Sequence, residues 1–360
     1  MMTDTSPSGR IPGRWLATVL RLLAWCGRRE KFDASTISSL SANIRDILPM
    51  LETKKVDSLY YLSSTENLPR QRLYDQIWSV QKRTLLDVCS SLTEQSLEFY
   101  LFKGSECAER WYNSRALGLF SDVDVLVARH EMGKVKAVLY GEGFRQADFN
   151  PNVGALVDRD VAEIAGMEAQ HYELAPFSKL VPADFDLPSL QVEPGTERHP
   201  LVILAGRPMI VVELDIHHGV ATDIDPRDLT RDAQPSALGQ GLSFSDSNQL
   251  WLLTSRYYTE VAIHGKRSLR DFAYVLPLIA CGDLDWDVVL SAARKYGLRS
   301  SLYYYLYFMS FLTEGAVPKS VLAELSPDRG NRLHDWGWQL GKLFDLVDGF
   351  PLNPDASSGA

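Results

Sequence analysis

Apolar positions early in the chain recur every three to four residues. Ile77, Val80, Leu85, Leu86, Val88 and Leu92 fall on one stripe, and no strand-like alternation competes between positions 14 and 98. The texture changes at Leu97. Phe99, Tyr100, Leu101 and Phe102 form a short apolar run that stops at Lys103-Gly104, the pattern of a buried strand ended by a glycine turn. A helix is expected from Ser105 to Trp111. The segment from Asp122 to Val127 then alternates, and period two places Asp122 and Asp124 on one face with Val123 and Val125 opposite. Residues 131–141 read as a helix ending near Gly141 or Gly143. Tyr172, Glu173 and Leu174 are a candidate strand, and 176–200, rich in proline and acidic residues, reads as a loop. Met209 to Ile216 is a strand whose alternation puts Glu213, Asp215 and His217 on one face. After Pro226 helical spacing returns: Leu250 to Ile263, then Leu269, Phe272, Ala273, Leu276 and Ile279, then a helix opened by Asp285-Trp286 with Asp283 or Asp285 as its cap. The aromatic stripe from Tyr303 to Phe311 reads as core.

The order is helices, a small α/β unit, then helices again. The expected parts are a disordered start at 1–13, an N-terminal helical region at 14–96, an α/β domain at 97–225, a C-terminal helical domain at 226–350 and a disordered tail at 351–360. A length of 360 residues exceeds one typical domain, and 45% hydrophobic with 23% charged residues is ordinary for a globular chain with a sizeable core. The net charge of −9 disfavours a general nucleic-acid binder, so DNA is not expected as a partner, although a local basic patch facing a triphosphate remains compatible. Cys26, Cys89, Cys107 and Cys281 are spaced too widely for a paired-cysteine metal site or a disulfide framework, which points to a reduced, cytoplasmic compartment. The apolar segment Trp15 to Cys26 is short and interrupted by Arg21. It reads as an amphipathic helix packed on its own protein rather than a signal or membrane anchor.

Two acids separated by one apolar residue on a strand emerge together, close enough to bridge divalent cations. Carboxylate oxygens suit Mg²⁺, and two such ions about 4 Å apart stabilise the attacking and leaving oxygens of phosphoryl or nucleotidyl transfer. Asp215 is the candidate third carboxylate, with Glu213 as runner-up on the same face. At the other side of the turn, Gly104 lets backbone amides approach a polyphosphate, the following helix N-terminus favours an anion, Ser105 adds a hydroxyl and Lys103 a positive charge. His217 shares the face of Asp215 and is placed to touch a phosphate, a metal-bound water or the acceptor, and His171 is a candidate on an adjacent strand.

This combination of Gly-Ser, Asp-x-Asp and a later acid resembles the DNA polymerase β-like nucleotidyltransferase superfamily. More narrowly it resembles the bacterial uncharacterised nucleotidyltransferase family, through Leu101-Phe102-Lys103-Gly104, Arg115, Ser121 to Val127, Leu214-Asp215-Ile216-His217-His218 and the stretch from Leu269-Arg270-Asp271-Phe272 to Asp285-Trp286. The likeness spans roughly residues 70 to 310. The chain departs from the family in the long gap between Ser105 and Asp122, in the position of Arg115 and in His218, where tryptophan is usual. The resemblance implies an α+β class, a nucleotidyltransferase-fold mixed sheet domain flanked by helical regions. It implies Mg²⁺, two ions held by Asp122, Asp124 and Asp215, and an NTP such as ATP contacted by Lys103, Gly104, Ser105, Arg115 and His217. The expected reaction moves an NMP group to a small-molecule or peptide acceptor and releases pyrophosphate. The alternatives are a toxin/antitoxin or regulatory nucleotidyltransferase that modifies a protein or tRNA, and a catalytically silent nucleotide-binding module.

Overall fold

The computed structural model describes residues 13–28, 34–63, 68–192, 198–262, 264 and 268–326. The expected disordered tail, and all of the expected disordered start except Gly13, lie outside the described residues. The chain divides into two compact units, one of residues 65–245 and one of 1–64 with 246–360.

The helical unit begins with α1 (Gly13–Arg28), α2 (Ala34–Thr53) and α3 (Asp57–Ser63). Within α1, Val19, Leu22, Leu23 and Cys26 are buried and Arg21 is exposed, the amphipathic arrangement the pattern predicts. Among the described residues no helix is long and apolar enough to cross a membrane.

The sheet unit runs α4 (Pro69–Glu94), β1 (Phe99–Leu101), α5 (Gly104–Tyr112), β2 (Val123–Val127), α6 (Met132–Gly141), β3 (Ala147–Asn150), β4 (Ala155–Asp158), α7 (Val161–Gln170), β5 (Phe177–Pro182), β6 (Leu201–Leu204), β7 (Arg207–His217), α8 (Pro226–Thr230), β8 (Gln234–Pro235) and β9 (Leu242–Ser243). Its main sheet is mixed, in the order β5-β7-β2-β1-β9-β8, with β6 also on β7; β3 and β4 form a separate hairpin. Antiparallel β1 and parallel β7 flank β2, all five residues of which are buried, and each fully buried valine or leucine there contributes about 1.5–3 kcal/mol.

The sheet departs from expectation in more than one place. Positions 176–200 are not simply a loop, because Phe177–Pro182 is strand β5, paired antiparallel with β7 from Phe177↔Leu214 to Pro182↔Met209. The proline sits at the end of an edge strand, where a missing N–H is tolerated, and most of the proline and acidic residues follow it. Tyr172 to Leu174 contributes a single bridge, Glu173↔His217, rather than a strand. The helix just before it is also absent from the periodicity: α7 is short, amphipathic only weakly, and announced mainly by its cap, Asp160, which accepts from the amides of Ala162 and Glu163.

The helical unit resumes with α9 (Asp246–Ala262), α10 (Arg270–Cys281), α11 (Trp286–Lys295), α12 (Arg299–Leu312) and α13 (Lys319–Leu325). Asp285 caps α11 by accepting from the amides of Asp287 and Val288. The aromatic stripe on α12 is core, as expected: Tyr305 is fully buried and stacks on Phe272 at 4.9 Å, with Tyr257 edge-on at 5.6 Å. No disulfide joins Cys26, Cys89, Cys107 or Cys281.

Candidate metal and phosphate site

Helix α4 fixes the entry into β2. Its buried Gln71 and Gln81 donate to the carbonyl oxygens of Ala116 and Phe120, at 2.9 Å each, and Asp75 accepts from the amide of Ala116 at 2.9 Å. Glu109 of α5 is held in turn by the indole of Trp78 and the ammonium of Lys82. The long stretch between Ser105 and Asp122 is thus stapled to α4, which delivers the acidic pair to a fixed place at the start of β2.

The parallel register sets Asp124 beside Asp215 and Leu126 beside His217. Asp124, Asp215 and His217 form a cluster able to hold a metal ion, each offering a ligand atom within 4.8 Å of the others. Continuing the register sets Asp122 against Glu213, one pleat repeat further along the same face. Asp122 is outside the tight cluster, yet its charge acts on both Asp215 and Glu213.

The electrostatics divide these acids. Burial pushes Asp124 up, but the Lys103 ammonium and a hydrogen bond from His217 outweigh it, and the carboxyl is held well below its ordinary range. Lys103 forms an ion pair with Asp124 Oδ1, and His217 Nε2 lies 2.9 Å from that same oxygen. Glu173 Oε2 stands 3.2 Å from His217 Nδ1 with no hydrogen bond between them, and the imidazole packs edge-on against Phe102 at 5.3 Å. Burial holds His217 itself below its ordinary value, against the pull of Asp124. Asp215 is the opposite case from Asp124. Burial, then the charges of Asp122, Asp124 and Glu213, push it up to about 8, with only Lys103 opposing. Glu213 rises to about 7 through burial and the charges of Asp122 and Asp148. Carboxyl groups without matching cations are therefore concentrated on β7, and they keep their protons to higher pH than ordinary carboxyls do.

The turn after β1 places Lys103 at φ 58° and ψ −132°, a left-handed conformation that costs a non-glycine residue about 1–3 kcal/mol. The kink aims the Lys103 side chain at Asp124 and starts α5 at Gly104, where first-turn amides have no helical partners of their own. Ser105 is buried, and its hydroxyl donates to the carbonyl of Phe102 at 3.3 Å.

Of the residues singled out in the sequence, Lys103, Asp124, Asp215 and His217 come together, with Gly104 adjacent and Asp122 one repeat away. Arg115 does not join them. Its Nε is 2.6 Å from Asp75 Oδ2 on α4, an ion pair that closes the staple described above. His171 caps the end of α7 beside Tyr172, whose ring stacks on His217 at 6.3 Å. Sequence reasoning did not find Glu173. Its only signal was the candidate strand from Tyr172 to Leu174, which shrinks to the bridge that sets it against His217.

A sequence model of the family described as "Uncharacterised nucleotidyltransferase" matches residues 76–313, well over half of the chain. No curated protein and no solved structure matches it.

Proposed function

The chain belongs to the uncharacterised nucleotidyltransferase family, and from that premise we propose that it is a Mg²⁺-dependent enzyme of the DNA polymerase β-like superfamily that moves an NMP group from an NTP to a hydroxyl of a small-molecule or peptide acceptor, releasing pyrophosphate. The observation that carries this reading is the carboxylate group across β2 and β7. Asp124 and Asp215 stand side by side, and Asp215 is pushed up to about 8 by burial and by the charges around it. A protein that crowds buried carboxylates without matching cations has built a site that a divalent cation stabilises.

The donor chemistry fits Mg²⁺, which takes a few carboxylates together with phosphate oxygens. Asp122, Asp124 and Asp215 would hold two ions, which supply charge stabilisation to the attacking and leaving oxygens. Lys103, now on Asp124, is within reach of the phosphates that would share the site, and the amides of Gly104 and Ser105 at the α5 N-terminus suit the β and γ phosphates. The Ser105 hydroxyl is turned toward Phe102, so its amide is the group available for that role. His217 orients Asp124. Asp215, on the same face, would bind one ion and take the proton of the acceptor hydroxyl, a role that requires it to lie within hydrogen-bond reach of that hydroxyl.

Thermal unfolding of the whole chain with Mg²⁺ and each NTP in turn tests this reading. At least one NTP should stabilise the wild type in a Mg²⁺-dependent way and leave Asp122→Ala/Asp124→Ala unmoved. A wild type that no NTP stabilises contradicts it.

A further inference from the structure

Further along the face that bears the carboxylates, the sheet unit holds a cavity of about 670 Å³. The alternation that puts Asp122 and Asp124 on this face puts Leu126 there next, and Leu126 lines the cavity. Tyr100, the β1 partner of Leu126, lines it from one side, and Tyr172, stacked on His217, from the other. Two residues of strand, about 7 Å, separate Leu126 from Asp124. The volume suits a small molecule and is far too small for a folded partner.

The lining runs against the charge of the chain. In a protein of net charge −9, Arg129, His130, His171 and His218 all face this cavity, and its only carboxylate, Glu98, accepts a hydrogen bond from the Tyr100 hydroxyl. Arg227, at the rim, is closed on Asp225. Arg129 is close enough for its charge to act on the His218 ring, and that ring hydrogen-bonds to backbone at His171 and at its own residue. His218 Nε2 is left buried with no partner. With the other ring nitrogen donating to the chain, Nε2 of a neutral imidazole is an acceptor that lacks a donor, and a ligand hydroxyl would satisfy it.

We propose that this cavity is the acceptor site and that the acceptor is a small hydroxyl-bearing anion of the sugar phosphate or sugar acid type, its anionic group held by Arg129 and His130 and a hydroxyl held by His218 Nε2. The inference rests on the nucleotidyltransferase reading and narrows its acceptor. In the reaction a hydroxyl oxygen of the sugar bonds to the α-phosphorus of the NTP. The bond from that phosphorus to the bridging oxygen breaks, the hydroxyl proton passes to a base, and pyrophosphate leaves.

Calorimetric titration of the whole chain, without metal or NTP, with ribose 5-phosphate, ribonate and ribose tests the site apart from the chemistry. One or both anions should bind at least tenfold more tightly than ribose, and the tighter of the two names the head group. Arg129→Gln, at an exposed position that leaves folding intact, should weaken the anion at least tenfold, and so should His218→Phe. Asp124→Asn should keep the anion and lose Mg²⁺-dependent NTP binding. Equal binding of ribose, no binding of either anion, or affinities untouched by Arg129→Gln would overturn the proposal. NTP binding without sugar-anion binding overturns the acceptor assignment alone. Sugar-anion binding without any NTP binding overturns the acceptor role and the transferase reading together.

Discussion

Replacing Asp215 with asparagine should make the metal-free protein more stable while removing its response to Mg²⁺. The carboxyl sits at about 8, against an ordinary value of 3.8, through burial and the charges of Asp122, Asp124 and Glu213. The unfolded chain loses this proton near pH 4 and the folded chain near pH 8. Between those values the folded state holds the extra proton, so stability falls as pH rises through the window, and the full cost is present only above pH 8. Every tenfold difference in proton affinity between the two states corresponds to about 1.4 kcal/mol. At pH 7 roughly three such factors of ten are in play, an upper bound of about 4 kcal/mol. An asparagine still has a polar group to bury, and Asp215 keeps some solvent contact, so a gain of about 1–3 kcal/mol is expected. Urea unfolding of both proteins in chelator, at pH 4.5 and pH 7.5, reads this directly. The two curves should lie close at the lower pH and separate at the higher, with the variant more stable. Added Mg²⁺ should then raise the wild type and leave the variant behind. A variant less stable than wild type at pH 7.5, or one that Mg²⁺ stabilises equally, would refute the reasoning.

Lys103→Met leaves Asp124 buried without its ammonium partner. The metal-free protein should lose about 2–3 kcal/mol by urea unfolding, and Mg²⁺ should restore more of that loss than it adds to wild type. His217→Ala removes the group that orients Asp124 through Nε2, and should weaken Mg²⁺ affinity roughly 10- to 100-fold in a direct titration. Arg115→Ala separates two roles: the Asp75 ion pair predicts a loss of about 1 kcal/mol in stability with KM for NTP unchanged, whereas a rise in KM would return Arg115 to the nucleotide.

The strands that carry acids were legible because chemistry and period coincide in them. Alternation over Asp122 to Val127 and over Met209 to Ile216 needs no tertiary knowledge, and the register sets Asp124 directly against Asp215. Strand β5 was hidden by composition, since six residues of strand precede a run of proline and acid and share its window. The helical periodicity of α4 was plain, but its place with the sheet rests on Gln71, Asp75 and Gln81, polar residues whose partners lie some forty positions away. The same distance hid the role of Arg115. A family pattern marks that a residue recurs and does not say which neighbour it meets. The cavity was invisible for a related reason: Arg129, His171 and His218 are far apart in sequence, and His218 was marked in its motif only as standing where tryptophan is usual.

The most direct test of the central claim follows the phosphates. The whole chain is incubated with Mg²⁺, the sugar anion that binds best and each NTP in turn, labelled at the α or at the γ phosphorus. The account predicts α label on the acceptor and γ label in pyrophosphate, with both lost in Asp124→Asn. Transfer of γ label to the acceptor, or wild-type turnover that survives Asp124→Asn, would contradict it.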